Sequence, residues 1–358
     1  MALTQVNLGM VDTAAAGGLG MRNKIINGAM EIDQRNAGAS VTPTNSAYSL
    51  DRWRFAVSQT SKLTCQQVSD APAGFNKSLK VTSSSAYSPV TSDYFILQHR
   101  FEGYSTNDLN WGTSDAKTIS VSFWVKSSLS GTFSGAIRNA NGYGRGYVFE
   151  YTVNSSNTWE QKSVTITGDT SGSWAVDNSV SIELGFILGG GSDFYASPNT
   201  WNATNDFLTS GSTNLVATSG ATFYITGVQL EAGSVATEFE RRPYGIELML
   251  CERYYQKYTG NTTSYPLFGV GHAYSSNQVM GVSKGLTTNM RAYPTASLTG
   301  TWYARRYDAS SDVLNNPTIA VSTNFVSING ERNNSGLTAG HACTVWSETG
   351  SLILSAEL

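Results

Sequence analysis

The pattern that most constrains this chain is a two-residue alternation of apolar and polar side chains. In Ile119-Ser120-Val121-Ser122-Phe123-Trp124-Val125-Lys126, the residues Ile119, Val121, Phe123 and Val125 fall on one face and Ser120, Ser122, Trp124 and Lys126 on the other. That is the period of a strand with one buried face. The same reading covers Tyr147 to Val153, Ser163 to Thr167, Val180 to Leu188 and Thr222 to Leu230, with clusters of Gly, Ser, Asn and Asp between them that suit turns. Many short antiparallel strands without amphipathic helices between them predict an all-β fold, most simply a jelly-roll β-sandwich. Aromatic residues at 11% and hydrophobic residues at 40% of the chain argue against disorder.

Only 14% of the 358 residues are charged, against about 25% in ordinary soluble domains. Ser and Thr together make up about a quarter of the chain, so hydroxyls and amides solvate much of its surface. A net charge of -3 removes the electrostatic footprint of a nucleic-acid-binding protein. Apolar runs are too short for a membrane-spanning helix, and Met1 to Met21 has no basic region followed by an apolar stretch, so neither membrane insertion nor a signal peptide is expected. Cys65, Cys251 and Cys343 are far apart and odd in number, which predicts buried free thiols in a chain made in the cytoplasm.

The chain reads as four parts. Residues 1–22, with the small-residue tract Ala14–Gly20, form an attachment segment or linker. Residues 23–240 form the large sandwich. Residues 241–261 contain one helix, expected over Tyr244 to Tyr258 just after Pro243. Its stripe, Ile246, Leu250, Tyr254 and Tyr258, recurs at spacing four and must pack against the sandwich or against equivalent helices of other copies. These four are therefore candidate oligomer contacts. Residues 262–358 return to strands at Gln278–Ser283, Thr295–Ala304, Thr318–Asn329, His341–Glu348 and Leu352–Leu358, and predict a smaller C-terminal β-sandwich.

Catalytic signatures are sparse. His99, His272 and His341 form no local metal motif, no nucleophile elbow or phosphate-binding loop occurs, and the acids carry no recognisable pairing. Neither an enzyme nor a cofactor or metal is expected. Aromatic residues in turn-rich or polar surroundings stand out instead, among them Trp111, Trp174 and Trp201. Sugars present apolar C–H faces ringed by hydroxyls, so aromatic platforms beside amides and hydroxyls suit them. The alternative is that each ring plugs an end of the sandwich. Trp124, on the polar face of its own strand, is the aromatic that core packing explains least. In the last domain Trp302, Tyr303, Arg305, Arg306 and Tyr307 combine rings with two guanidinium groups able to fork onto carboxylate or phosphate; a strand end with solvated charges is the other reading.

Two stretches resemble a known family. Residues 23–35, NKIINGAMEIDQR, with YSLDRW at 48–53, resemble the opening of a carbohydrate-binding-module-like domain of bacteriophage tail-fibre proteins. GVQLEAGSVATEFERRPYG at 227–245, running into LCERYY at 250–255, is similar to the end of that domain and the helix after it. The resemblance implies a homotrimeric fibre on the virion, made in the host cytoplasm, with a jelly-roll domain and a receptor-binding tip at residues 262–358. Its implied partners are other virion proteins, held through the N-terminal segment, and bacterial surface polysaccharide or lipopolysaccharide. A connector or capsid decoration fibre that binds no receptor is the alternative. The motifs mark the scaffold, and no sugar-contacting residue carries over from them.

Overall fold

The computed structural model describes residues 21–260, 267–305, 311–332 and 336–358. The N-terminal segment 1–20 and two candidate residues, Arg306 and Tyr307, lie outside them. The chain divides into two compact units, Met1–Pro243 and Tyr244–Leu358.

The larger unit is a two-sheet β-sandwich of jelly-roll form. In chain order its strands are β1 (Tyr48–Leu50), β2 (Trp53–Val57), β3 (Leu63–Val68), β4 (Ser78–Ser83), β5 (Tyr94–Glu102), β6 (Ile119–Ser127), β7 (Gly131–Asn139), β8 (Gly146–Val153), β9 (Glu160–Ile166), β10 (Val180–Gly190), β11 (Trp201–Asn202) and β12 (Thr222–Ala232), with one helical turn, α1 (Gly103–Thr106). One sheet runs β1-β2-β5-β10-β7-β8-β11 and the other β3-β4-β12-β6-β9. The chain passes repeatedly from sheet to sheet, so strands adjacent in sequence often face each other across the core.

Alternation sorts the side chains as the sequence predicts. Ile119, Val121, Phe123 and Val125 of β6 are fully buried, as are Leu184, Phe186 and Leu188 of β10, and they meet in one core with Trp53, Phe133 and Phe223. The outer face of β10 departs from the half-solvated expectation. Ile187 is buried against Phe207 and Leu208, which come from the segment that follows the strand. Farther along that face a polar network replaces the apolar cover. Glu183, fully buried, accepts hydrogen bonds from Gln98 Nε2 at 2.8 Å and Arg100 Nε at 2.9 Å, and from Arg138 Nη2. Burial pushes its carboxyl up, but the charges of Arg138 and Arg100 prevail and hold it below the usual carboxylate range.

The stretches 23–35 and 227–243 clasp each other. Asn23 Oδ1 accepts from the Leu230 backbone N–H at 3.1 Å, the Val228 N–H donates to Gly28 O at 3.0 Å, and Arg242 Nη1 donates to Ile25 O at 3.0 Å. Trp53 Nε1 donates to Asn27 O at 3.0 Å, and Asp51 holds Gln34 through its backbone and amide N–H groups. The two ends of the domain are thus closed on one another by directional bonds as well as packing.

The smaller unit starts with the helix α2 (Tyr244–Glu252). The helix is six residues shorter than Tyr244 to Tyr258, because Tyr255–Thr259 is a strand, β13. The remaining strands are β14 (Leu267–Ala273), β15 (Gln278–Gly285), β16 (Thr295–Thr299), β17 (Trp302–Arg305), β18 (Ser311–Val321), β19 (Phe325–Arg332), β20 (Ala342–Ser347) and β21 (Ser351–Ser355). Tyr255 pairs with Ser355 and Thr259 with Ser351. A five-residue ladder for a Tyr- and Thr-rich stretch outweighs one and a half further turns of helix. The small β-domain is a closed six-stranded barrel, β14-β15-β19-β18-β17-β20, beside a three-stranded sheet, β13-β21-β16. The run Thr295–Ala304 is broken in two by Gly300, whose φ of +68° no ordinary strand residue adopts. Thr318–Asn329 folds into a hairpin at Ser322, whose hydroxyl accepts the N–H groups of Asn324 and Phe325.

Candidate functional site

The outer face of the five-stranded sheet carries a row of aromatic rings. On β12, Tyr224 lies opposite Lys80 of β4 on one side and Lys126 of β6 on the other, while Thr226 lies opposite Trp124. Trp159, at the entry to β9, meets Tyr224 edge to face at 6.1 Å. The Lys126 ammonium sits 4.3 Å from the Tyr224 ring centre and 5.2 Å from that of Trp159, and Lys80 approaches Tyr224 at 5.6 Å. Asp70 anchors this end, accepting from Trp159 Nε1 at 3.2 Å and from Lys126 Nζ. The hydrogen bond from Lys126 is the chief reason its carboxyl sits below the usual range.

A bulge after Thr226 continues the row. Gly227 sits there at φ +59°, and a Cβ on it would lie 2.6 Å from the Phe75 ring and 3.1 Å from Trp124. Its missing side chain lets both rings lie over the backbone. Phe75 in turn meets Phe239 edge to face at 5.2 Å, with the Arg241 guanidinium 4.6 Å above Phe75. Trp159, Tyr224, Trp124, Phe75 and Phe239 are all half-buried, seated on the sheet and open to solvent. Such a surface offers ring faces to the C–H face of a sugar, with ammonium and guanidinium donors and the exposed Gln161 amide, opposite Trp124, for its hydroxyls.

The residues singled out from sequence take other places. Trp111, Trp174 and Trp201 come together, with ring centres 4.9, 5.4 and 5.8 Å apart and all three pairs edge to face. Trp111 and Trp174 are 7% and 9% exposed, and each indole N–H is satisfied by a backbone carbonyl. Packing, the alternative reading of these rings, is what these two do: they plug one edge of the sandwich. Trp201 is half-buried over them, donating to Thr167 O at 2.8 Å, with Arg145 5.7 Å from its ring. Arg145 is itself held by Asp169 through two bonds of 2.8 and 2.6 Å.

In the small domain, Trp302 is buried at the barrel wall, Tyr303 stacks on Trp346 at 4.6 Å on the outer side, and Arg305 is exposed. Of the expected helical stripe, Ile246 and Leu250 remain half-buried on α2. Tyr254 lies just beyond the helix and is buried, and Tyr258 lies on β13 against the small core. Trp124 was visible in the sequence as an oddly placed aromatic, but the sequence showed no sign that Trp159, Tyr224, Lys80, Lys126, Phe75 and Phe239 share its surface. The available signal was Tyr224 standing, like Trp124, out of phase with the apolar face of its own strand.

No protein-family model matches the chain, and no curated protein matches it. Among solved structures it is similar to the enzymatically active domain of tailspike protein 4 of bacteriophage CBA120, at 13% identity and a TM-score of 0.34 over 59% of this chain and 22% of that one. It is also similar to the family 11 carbohydrate-binding module of a Clostridium thermocellum cellulase (14%, TM-score 0.29, 57% of this chain and all of that one). A third is TmCBM61, solved with β-1,4-galactotriose (12%, TM-score 0.29, 59% and 99%). The chain thus spans about a fifth of the tailspike chain it aligns with. At these TM-scores the likeness carries no argument, and the fold stands on the sheets described above.

Proposed function

We propose that this chain is a virion-borne fibre protein that holds the particle on host-surface glycan. The observation that carries the reading is the row of five half-exposed rings with its flanking cations on the five-stranded sheet. The motifs at 23–35, 48–53 and 227–255 support the fibre assignment. The chain acts as a homotrimer, with residues 1–22 joining other virion proteins and residues 262–358 forming the distal tip. Each glycan contact is weak, and copies joined in one fibre gain about 10² to 10⁴ in avidity.

The test is adsorption of the full-length protein to host cells and to purified surface polysaccharide, comparing wild type with Trp124→Ala and Tyr224→Ala. Loss of one stacking ring should weaken binding about tenfold or more while the melting temperature changes little. Wild-type adsorption by both variants, or a monomer in light scattering at every accessible concentration, overturns the proposal. One observation favours the connector alternative: Val270, Tyr274, Met280, Tyr293 and Phe325 are all exposed on the small domain, as on a surface another chain covers. That reading requires the small domain to be inaccessible to antibody on intact particles.

A further inference from the structure

Three Asn-Gly pairs occur in the chain, Asn27-Gly28, Asn141-Gly142 and Asn329-Gly330. Such a pair is reactive because glycine has no side chain to keep its backbone nitrogen away from the preceding carboxamide. That nitrogen attacks the Asn Cγ and closes a succinimide ring when the carboxamide and the glycine N–H are free and the backbone has room to turn. The fold denies this to two of the three pairs. Asn27 is 1% exposed; its Nδ2 donates to Ile32 O at 2.8 Å and to Asp51 O at 3.0 Å, and its Oδ1 accepts from the Ile32 N–H at 3.0 Å. Asn329 lies within β19, where its Oδ1 accepts from the Gly281 N–H at 2.8 Å, and a Cβ on Gly330 would lie 2.6 Å from Leu314 Cγ.

Asn141-Gly142 sits in the turn between β7 and β8, and both residues are exposed. The Asn141 backbone N–H donates to Asn139 Oδ1 at 2.9 Å, and the Tyr143 N–H closes the turn on Asn139 O at 3.0 Å. The Asn141 carboxamide and the Gly142 N–H make no hydrogen bond among the described residues. Gly142 stands at φ +91° with nothing within 4 Å of the place a Cβ would take, so the attacking nitrogen has room. The geometry points to Asn141 as a site of spontaneous covalent modification, a deamidation whose only co-reactant is water. The Gly142 nitrogen forms a bond to Asn141 Cγ and gives up its proton; the bond from Cγ to the carboxamide nitrogen breaks, and that nitrogen leaves with the proton as ammonia. Water then opens the succinimide at one of its two carbonyls, giving aspartate or isoaspartate, in which the main chain runs through the side-chain carboxyl. Either product adds a carboxylate. It arises two residues from Tyr143, whose hydroxyl accepts from Arg100 Nη2 at 2.6 Å and whose ring centre lies 5.1 Å from the Arg138 guanidinium, the two arginines that hold Glu183. The inference does not depend on the glycan reading.

The experiment incubates the full-length protein in mildly alkaline buffer, native and in urea, and follows the tryptic peptides that hold the three pairs by mass spectrometry. Deamidation replaces a carboxamide NH2 by OH, a mass increase the spectrum resolves, and its two products separate by chromatography. In the native protein the peptide 139–145 should convert at least about tenfold faster than the peptides holding Asn27 and Asn329, since local order suppresses a reaction that requires the backbone to rearrange. In urea the three pairs should convert at similar rates, because each has the same glycine on its C-terminal side and the fold no longer separates them. The native rate at Asn141 should rise with pH, as the attacking group is the deprotonated amide. Asn141→Gln should leave the peptide 139–145 unconverted, which separates Asn141 from its neighbour Asn139, whose Nδ2 is held by Ser173 O at 2.7 Å. Equal native rates at the three pairs, a native Asn141 about tenfold or more slower than in urea, or conversion that persists in Asn141→Gln overturns the inference.

Discussion

Replacing Glu183 by Gln tests whether the covered outer face of the seven-stranded sheet is held by charge or merely by shape. Glu183 is fully buried, and the side chains of its partners Arg138 and Arg100 are 6% and 15% exposed. Glutamine keeps the volume but removes the only negative charge among these three residues and turns one acceptor into a donor. Two guanidinium groups are then left facing each other in a water-poor site. Removing one partner of a buried pair costs about 3–5 kcal/mol, which for a domain of this size lowers the melting temperature by about 6–20 °C. The control is Asp108→Asn. That residue pairs with Lys24 at 2.8 Å with its own side chain 52% exposed, so its loss should cost at most about 1 kcal/mol. Thermal melts followed by circular dichroism compare the three proteins. The pH dependence has a definite sign. Because the folded Glu183 carboxyl is held below its unfolded value, its stabilisation is complete above the ordinary carboxylate range and is lost as pH falls through the lowered folded value. The gap between wild type and Glu183→Gln should therefore be flat at neutral pH and shrink in acid. A Glu183→Gln variant that melts within about 1 kcal/mol of Asp108→Asn refutes the reasoning.

Two further expectations concern packing and reactivity. Trp174→Ala opens a cavity beside Trp111 and Trp201 and should cost about 3–5 kcal/mol without weakening glycan adsorption of the folded protein; loss of adsorption by a variant still folded at the assay temperature would return Trp174 to the ligand-contact reading. The three cysteines are all buried, and burial pushes the Cys65 thiol up to about 12, so iodoacetamide should label none in the native protein and all three in urea. Native labelling of Cys65 in a mass spectrum contradicts the structure.

The elements that were legible in the sequence are those set by local pattern. The inward set Ile119, Val121, Phe123 and Val125 is buried as its period requires, and Trp124 stands out of phase in both sequence and structure. The end of α2 was not legible. The spacing-four stripe continues through Tyr254 and Tyr258, and only the availability of β21 as a pairing edge makes Tyr255–Thr259 a strand. Competition between a helical turn and a ladder is decided by a partner almost a hundred residues away, which no local window contains.

The candidate site divides in the same way. Sequence by itself determined an all-β chain of low charge with solitary aromatics on otherwise polar strand faces, because side-chain period and composition are properties of neighbouring residues. It supplied no means of telling which aromatics share a surface. Cross-strand register puts Lys80, Tyr224 and Lys126 side by side, and the bulge at Gly227 brings Phe75 and Trp124 over one point of the backbone. Segments outside the ladders bring Trp111 and Trp174 together as a plug, with Trp201 of β11 over them. Whether a ring is a platform or a plug depends on what lies above it, and that is set by strand pairing and chain crossover and so was decided only in the tertiary structure.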